Sequence, residues 1–464
     1  MPKAEIIGLG RSGIAAARLL NQDGWNVTLV DSMTEEKLAS RANASQLQAS
    51  RQKLATEGVT VKLDSTITRS GSIPDLIVVS PGVPWDISPL LAAREQGIET
   101  IGEIELAWRY LKKVPWVGIT GTNGKTTTTA LIAAIFQQAG LNAPACGNIG
   151  NAACELALQN VRDSSSNLDW IVAELSSYQI ESSKELAPQI GVWTTLTPDH
   201  LNRHKTLENY YQIKASLLRR CRQKIINGDD RYLRSRFVEQ FGDVCWTSIE
   251  DRAKKRDRSL GVYIEDAWIV ARGELISPVS LFKMPGKHNL QNLLMAVAAA
   301  KLAGIEPKAI ANAIATFPGV PHRLEYICTY KGVKYINDSK ATNYDAAQVG
   351  LASVDAPVIL IAGGEAKEGD YSLWIETIKA KAAVVLLIGE AAPIFAQALS
   401  DRNYHQYEIV ETMDKAIARS IELVDTTNAS TVLLSPACAS FDQYLSFEHR
   451  GDHFRELCQS IISY

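Results

Sequence analysis

Ten consecutive residues, Gly118-Ile119-Thr120-Gly121-Thr122-Asn123-Gly124-Lys125-Thr126-Thr127, constrain this chain more than any other stretch. They follow the apolar run 114–117 and precede 128–138, which reads as a helix. The order is therefore strand, glycine-rich turn, helix, with Lys-Thr at the helix start. Such a turn points consecutive backbone N–H groups inward, and the helix N-terminus adds partial positive charge. Lys125 stands where a side chain reaches the β- and γ-phosphates of a nucleotide, and the Thr126 hydroxyl stands where it holds Mg²⁺. The usual phosphate loop has four residues between its glycines. Here five separate Gly118 from Gly124 and two separate Gly121 from Gly124, so the strict spacing is not met. An ordinary strand-to-helix turn is the plain alternative, but it supplies no reason for Gly-Lys-Thr at the junction. A triphosphate site is expected here.

A second glycine loop opens the chain. Residues 4–9 read as a buried strand running into Gly8-Leu9-Gly10-Arg11-Ser12-Gly13, and a helix follows through Leu20. A strand over 26–30 then ends in Asp31. Glycines at this spacing with an acid about 20 residues on form the dinucleotide fingerprint. Alone it points to NAD or FAD, with NAD favoured, or to another nucleotide diphosphate whose pyrophosphate uses the same loop.

The rest of the chain repeats the theme. Strand-like runs at 75–80, 169–173, 189–196, 334–337, 357–362, 384–388 and 431–434 each lead into Gly, Ser or charged residues. That repetition predicts doubly wound parallel sheets that bind ligands at strand C-terminal ends. Glu174 follows its strand like a metal-holding acid, and Pro198-Asp199-His200 follows the next. Taken alone, Glu174 reads as a strand-end surface acid and His200 as structural. Pro285 to Asn292 opens a long helix to about Gly304, with Asn289 and Asn292 on one face and capping the plain role for Asn289. The stretch 228–273 is polar, and its charge run 251–258 reads as a solvated loop. Boundaries near Pro115 and at 318–321 divide the chain into expected domains 1–103, 104–319 and 320–464. The fold class is α/β: a Rossmann-like first domain, a central phosphate-loop domain with a parallel sheet, and a Rossmann-like third domain.

Composition narrows the function classes. A net charge of −3 leaves no polybasic field for nucleic acid or an anionic membrane. No apolar run approaches the roughly 18 residues of a membrane span. The seven cysteines are scattered singly, which excludes zinc-ribbon spacing and fits reduced thiols. A cytoplasmic monomer acting on small molecules is expected.

Six segments together resemble the Mur ligase family and the related folylpolyglutamate synthases. They are 120–127, Glu174-Leu175-Ser176-Ser177-Tyr178-Gln179, Pro198-Asp199-His200, His288-Asn289, Pro321-His322-Arg323 and Asn337-Asp338-Ser339-Lys340-Ala341-Thr342-Asn343. The motif order agrees along the whole chain. Folylpolyglutamate synthases lack such a first domain, and the Asp-Asn-Pro-Arg motif of the ligase for the third amino acid is absent. Within the family the resemblance runs to the enzymes that add D-glutamate to UDP-N-acetylmuramoyl-L-alanine. It is carried by the N-terminal glycine loop, Ser80-Pro81-Gly82-Val83 and Ser435-Pro436-Ala437-Cys438-Ala439-Ser440-Phe441-Asp442-Gln443-Tyr444.

The resemblance implies an ATP-dependent amide ligase in peptidoglycan synthesis whose first domain holds UDP rather than NAD. It implies Ser12, Asp31, Ser32, Ser80 and Asn148 at the UDP substrate. It implies Gly121, Thr122, Asn123, Gly124, Lys125, Thr126, Thr127, Asn289, Asn292, Arg323, Asp338 and Lys340 at ATP. D-Glutamate falls to Thr342, Lys367, Ser440, Phe441 and Phe447, although spacing alone reads the two phenylalanines as core. Two Mg²⁺ ions are implied, with Thr126, Glu174, His200 and Lys214 as metal-side residues. Lys214, by itself a solvated helix lysine, is implied to be carbamylated. Lys125, Glu174, His200 and Lys214 form the implied catalytic group. The alternatives are another ligase of this family, an NAD-dependent dehydrogenase carrying an unrelated phosphate-loop domain, and a non-enzymatic nucleotide-binding regulator.

Overall fold

The structure, a computed structural model, describes residues 1–39, 44–65, 73–163, 167–237, 243–250, 260–366 and 369–461. Among them the chain forms three sheets. The first sheet contains β1 (Lys3–Ile7), β2 (Asn26–Val30), β3 (Thr60–Lys62), β4 (Leu76–Val79) and β5 (Glu99–Gly102), all parallel, in the order β3-β2-β1-β4-β5. The chain reverses its direction of travel between β1 and β4, so the Gly8–Gly13 loop opens at the crevice where such sheets take ligands.

The second sheet contains β6 (Trp116–Thr120), β7 (Ala145–Gly147), β8 (Ile171–Glu174), β9 (Ile190–Trp193), β10 (Gln223–Asn227), β11 (Cys245–Ser248), β12 (Leu260–Glu265), β13 (Trp268–Ala271) and β14 (Glu274–Pro278). Its order is β14-β13-β12-β11-β10-β9-β6-β8-β7. Strands from β7 to β12 run parallel, and β12, β13 and β14 form an antiparallel edge. The polar stretch 228–273 is in part regular structure. Three strands and the helix Arg231–Phe237 lie there, and the charge run 251–258 falls outside the described residues. β14 is exposed at its first two positions and buried at the next two, so no apolar run announces it.

Helices of the first sheet and of the second share one continuous apolar core, which contains Ala16, Leu20, Leu106, Leu156, Trp116 and Trp193. The join is close. Gly102 donates its N–H to Ser182 O at 2.8 Å, and a side chain there would strike the Ser182 hydroxyl. One residue on, Glu103 is fully buried, and its Oε1 accepts from Cys154 N at 2.6 Å. Its Oε2 has no hydrogen-bond partner among the described residues. Burial pushes this carboxyl up to about 7. The native state thus keeps the proton between about pH 4.5 and 7, where the unfolded chain has lost it. Stability therefore falls as pH rises through that window. Glu103→Gln keeps the oxygen acceptor and cannot ionise. Urea unfolding at pH 5 and pH 8 is expected to show wild type losing a few kcal/mol that the variant keeps, and parallel curves would refute the assignment.

The third sheet contains β15 (Glu325–Tyr330), β16 (Val333–Asn337), β17 (Val358–Gly363), β18 (Ala382–Ile388), β19 (Tyr407–Glu411) and β20 (Thr431–Leu434), ordered β15-β16-β20-β17-β18-β19. All pairs are parallel except β15 with β16. Uninterrupted apolar strands such as Val358–Gly363 are buried along their full length between helices on both faces. By contact the chain separates into two compact units. One is Met1–Phe282 with Gln291–Phe317, and the other is Lys283–Leu290 with Pro318–Tyr464.

Candidate active site

The phosphate loop starts later than its first glycine. Gly118, Ile119 and Thr120 belong to β6, and Gly118 is there because a side chain would meet Pro188 at 2.8 Å and Leu175 at 3.2 Å. The turn is Gly121 to Gly124, with φ of 151° and 83°. Both lie in the region that favours glycine. A side chain at Gly124 would also strike Asn292 Oδ1, the acceptor of a 3.3 Å bond from Thr128 Oγ1. Asn292 is 4% exposed and lies under the loop. Thr122 Oγ1 donates to Thr197 O at 3.1 Å, and Asn123 N donates to Thr195 Oγ1 at 2.9 Å. The segment after β9 thereby braces the loop from one side. Lys125 opens the helix Lys125–Gln138, and its Nζ donates to Gly121 O at 2.9 Å and Thr122 O at 2.7 Å. Thr126 and Thr127 are buried in the first turn.

Lys214 comes from the helix Leu207–Arg220 and is 1% exposed. Its Nζ donates to Thr120 Oγ1 at 3.2 Å and Gly121 O at 3.0 Å. Two lysines thus converge on one carbonyl. Burial first, and the Lys125 charge second, push the Lys214 amine well below the ordinary lysine range. The amine also lies over the Tyr210 ring, 4.6 Å from its centroid. Beyond Tyr210 the rings continue: His204 stacks on it at 5.4 Å, Tyr178 lies 5.5 Å from His204, and Tyr178 OH is 3.2 Å from His200 Nδ1. His200 has φ 54° and begins the short helix Leu201–His204. Its ring is half exposed, with Asp199 Oδ2 at 3.4 Å from Nε2. His204 itself was not foreseen. It is buried, its Nε2 is 2.9 Å from Ser177 Oγ, and burial pushes it down to about 4, so it is neutral at pH 7.

Glu174 ends β8, directly beside Ile119 of β6. It is 1% exposed, with Oε1 accepting from Asn148 Nδ2 at 3.0 Å. Its Oε2 is buried with no hydrogen-bond partner among the described residues. A buried carboxylate oxygen is costly unless paired with a donor or a cation. Among the described residues no cluster of three His, Cys, Asp or Glu gathers here. A Mg²⁺ here would draw oxygens from Glu174 and the Thr126 hydroxyl, with the rest supplied by bound phosphates. That all-oxygen set suits a hard cation.

In the first sheet Asp31 follows β2 and closes the N-terminal loop. Its Oδ2 accepts from Leu9 N at 2.6 Å, and its Oδ1 accepts from Met33 N at 2.8 Å. Ser80 is buried against the loop, with its Oγ donating to Gly8 O at 3.3 Å. Gly13 lies so close to Gly8 O that no side chain fits. Ser12 is half-buried in the first helical turn, and Ser32 is exposed. Asn148 lies on Glu174 rather than on this loop.

In the other unit, Asp338 follows β16 and is 7% exposed. Its Oδ1 accepts from Leu324 N at 3.3 Å and its Oδ2 from Ser435 Oγ at 2.9 Å. Burial pushes it up to about 7, against the pull of Arg323. Arg323 is half-buried between His322 and Leu324, both at positive φ. Lys340 Nζ lies 3.7 Å from the Phe447 ring centroid. Ser440 is 2% exposed, and Thr342 and Phe447 are half-buried. Phe441 is 70% exposed, which excludes core packing for it. Asn289 Nδ2 donates to Pro285 O at 2.7 Å and closes the turn before its helix. Lys367 lies outside the described residues.

Three family models match the chain: "Mur ligase MurD-like, N-terminal domain" over residues 2–102, "Mur ligase middle domain" over 119–300, and "Mur ligase, glutamate ligase domain" over 322–438. Curated relatives named UDP-N-acetylmuramoylalanine–D-glutamate ligase are similar over the whole length. The one from Rippkaea orientalis is 65% identical over 99% of this chain and 100% of its own. The one from Synechocystis is 61% identical over 100% of both. Among solved structures, UDP-N-acetylmuramate-alanine ligase MurC from Thermotoga maritima superposes with a TM-score of 0.60 at 17% identity, covering 99% of this chain and 100% of its own. A pseudomurein peptide ligase type C from Methanothermus fervidus does so at 0.58 and 20%, over 99% and 100%. These two likenesses concern the fold.

Proposed function

We infer the reaction from one premise: the chain belongs to the Mur ligase family. It is an ATP-dependent ligase that joins D-glutamate to UDP-N-acetylmuramoyl-L-alanine in peptidoglycan synthesis. The observation that carries the reading is the loop at Gly121–Lys125, with Lys214 beneath it and the orphaned Glu174 oxygen at the end of the neighbouring strand.

The chemistry follows from the substrates. A carboxylate is a poor electrophile, and it must approach an anionic triphosphate. A carboxylate oxygen of the alanyl group takes the γ-phosphoryl group and ADP leaves. The D-glutamate amine then attacks the acyl carbon, the tetrahedral intermediate expels phosphate, and the nitrogen loses a proton. Lys125 and the loop N–H groups stabilise charge on the phosphoryl group in transfer. Mg²⁺ held by Thr126 and Glu174 supplies screening of the two anions when bound. Two ions, with His200 and a carbamylated Lys214 on the acyl side, are the finer form of the proposal.

Ser12, Asp31, Ser32 and Ser80 are proposed for the UDP group, and Asn148, seated on Glu174, for the acyl end. Asn289, Asn292, Arg323, Asp338 and Lys340 are proposed for ATP. Thr342, Lys367, Ser440, Phe441 and Phe447 are proposed for D-glutamate. Residues 1–103, 104–319 and 320–464 are proposed as the three corresponding domains.

ADP release measured with UDP-N-acetylmuramoyl-L-alanine and a panel of L- and D-amino acids tests the reading. Release dependent on D-glutamate is expected, and release with NAD-linked turnover or with no amino acid at all would overturn it. Asp31→Ala is expected to weaken the UDP substrate at least about tenfold while leaving ATP affinity unchanged, because the loop loses two anchoring bonds. Titration of each ligand checks this, and equal losses in a folded protein would contradict it.

A further inference from the structure

Arg450 is the one large charged side chain of the third sheet's layer that is 1% exposed, among the described residues. It comes from the helix Phe447–Ile461. Its Nε donates to Ser339 Oγ at 3.0 Å, and its Nη2 donates to Ser339 O at 2.9 Å and Cys438 O at 3.1 Å. Its Nη1 donates to Ala439 O at 3.2 Å. No carboxylate is among these partners. Ala439 O also accepts from Glu365 N at 3.0 Å, so the segment after β17 is tied to the same point. A side chain at Gly364 would strike Ala439 O, so this approach admits only glycine. At Gly451, beside the arginine, a side chain would strike His322, so the helix is held hard against the ends of the strands.

We propose that Arg450 is a positioning residue that fixes the three loops after β16, β17 and β20 in one arrangement, and that through Ser339 and Ala439 it sets the places of Lys340 and Ser440 for the nucleotide and the amino acid. The inference rests on the assignment of those loops to ATP and D-glutamate made above. Burying a guanidinium with no carboxylate hydrogen-bonded to it is costly. A hydrophobic side chain of similar volume would serve the helix better if packing were its whole role. What only a planar fork supplies is simultaneous donation to acceptors on two separate loops. A lysine ammonium at the same place reaches one loop or the other.

The test is Arg450→Lys, with kcat and the KM of each substrate measured separately, and with folding checked by thermal unfolding. The D-glutamate KM is expected to rise at least about tenfold and the ATP KM to rise with it, while the UDP-substrate KM stays unchanged. Arg450→Ala is expected to regain part of its D-glutamate affinity when guanidinium is added at millimolar concentration. A folded Arg450→Lys enzyme with wild-type KM for ATP and D-glutamate overturns the inference, as does an equal rise in all three KM values. Should both variants fail to fold, Ser339→Ala gives the same reading more mildly, since it removes only the hydroxyl acceptor of Nε. An unchanged D-glutamate KM there overturns the inference too. Ser440→Ala, run alongside, separates this from the site assignment. If it leaves D-glutamate KM unchanged while Arg450→Lys still shifts the KM of ATP, the amino-acid assignment has failed and the positioning role stands.

Discussion

Lys125→Ala is expected to abolish ADP formation in a protein that remains folded. The loop is held by other bonds besides those of this side chain. Thr122 N donates to Thr195 O at 2.8 Å, Thr194 Oγ1 to Asn123 O at 2.5 Å, and Thr128 N to Gly124 O at 3.0 Å. What the variant loses is the one mobile cation that the loop itself carries. Its Nζ lies against Gly121 O and Thr122 O, both on the loop, and needs only a change of rotamer to meet a phosphoryl oxygen. Removing one preorganised donor from developing negative charge costs about 3–4 kcal/mol, or roughly 10²–10³ in kcat. Loss of screening between two anions adds to that. ADP release under saturating substrates, with circular dichroism to confirm the fold, measures it. Near-normal turnover by the folded variant would refute the role.

Much of this arrangement was legible because parallel strands buried on both faces are continuous apolar runs. The segments 26–30 and 431–434 were readable to the residue for that reason. The edge of the second sheet was not, because its strands lie in a polar stretch and β14 is half solvated. The start of the phosphate loop was read too early at Gly118. Nothing in the local pattern reveals that Pro188 presses on that position from outside the strand. The same limit hid the pairs that make the chemistry. Asn148 and Glu174 are 26 residues apart, and Lys214 and Gly121 are 93 apart. No motif in the sequence singles out Arg450 or His204, and their burial reveals them. The neighbour Gly451 was the available signal for Arg450, since a glycine within a helix asks for a close approach.

The second large effect is expected at Lys214. A solvated lysine would be indifferent to substitution, but this amine is buried, shares the Gly121 carbonyl with Lys125, and lies on the Tyr210 ring. Burial and the neighbouring ammonium both disfavour its charge, so the amine is held well below the ordinary lysine range. A neutral amine is the nucleophile that CO₂ requires. In the proposed modification its nitrogen adds to the carbon of CO₂ and releases one proton, which would leave an anionic carbamate. That would invert the charge at this point, from repelling a cation to supplying oxygens for one. Glu174, with one buried oxygen lacking a hydrogen-bond partner among the described residues, would contribute the second carboxylate-like group. Lys214→Ala is therefore expected to lower turnover at least about a hundredfold and to raise the Mg²⁺ concentration needed for half activity. Acetate or formate at millimolar concentration is expected to restore part of the lost activity in Lys214→Ala and to leave wild type unaffected, because only the variant lacks an anionic ligand there. Wild type assayed in CO₂-depleted buffer is expected to lose activity that bicarbonate restores. The proposal fails if Lys214→Ala turns over at close to the wild-type rate at low Mg²⁺, or if its activity ignores short carboxylates while wild type ignores CO₂.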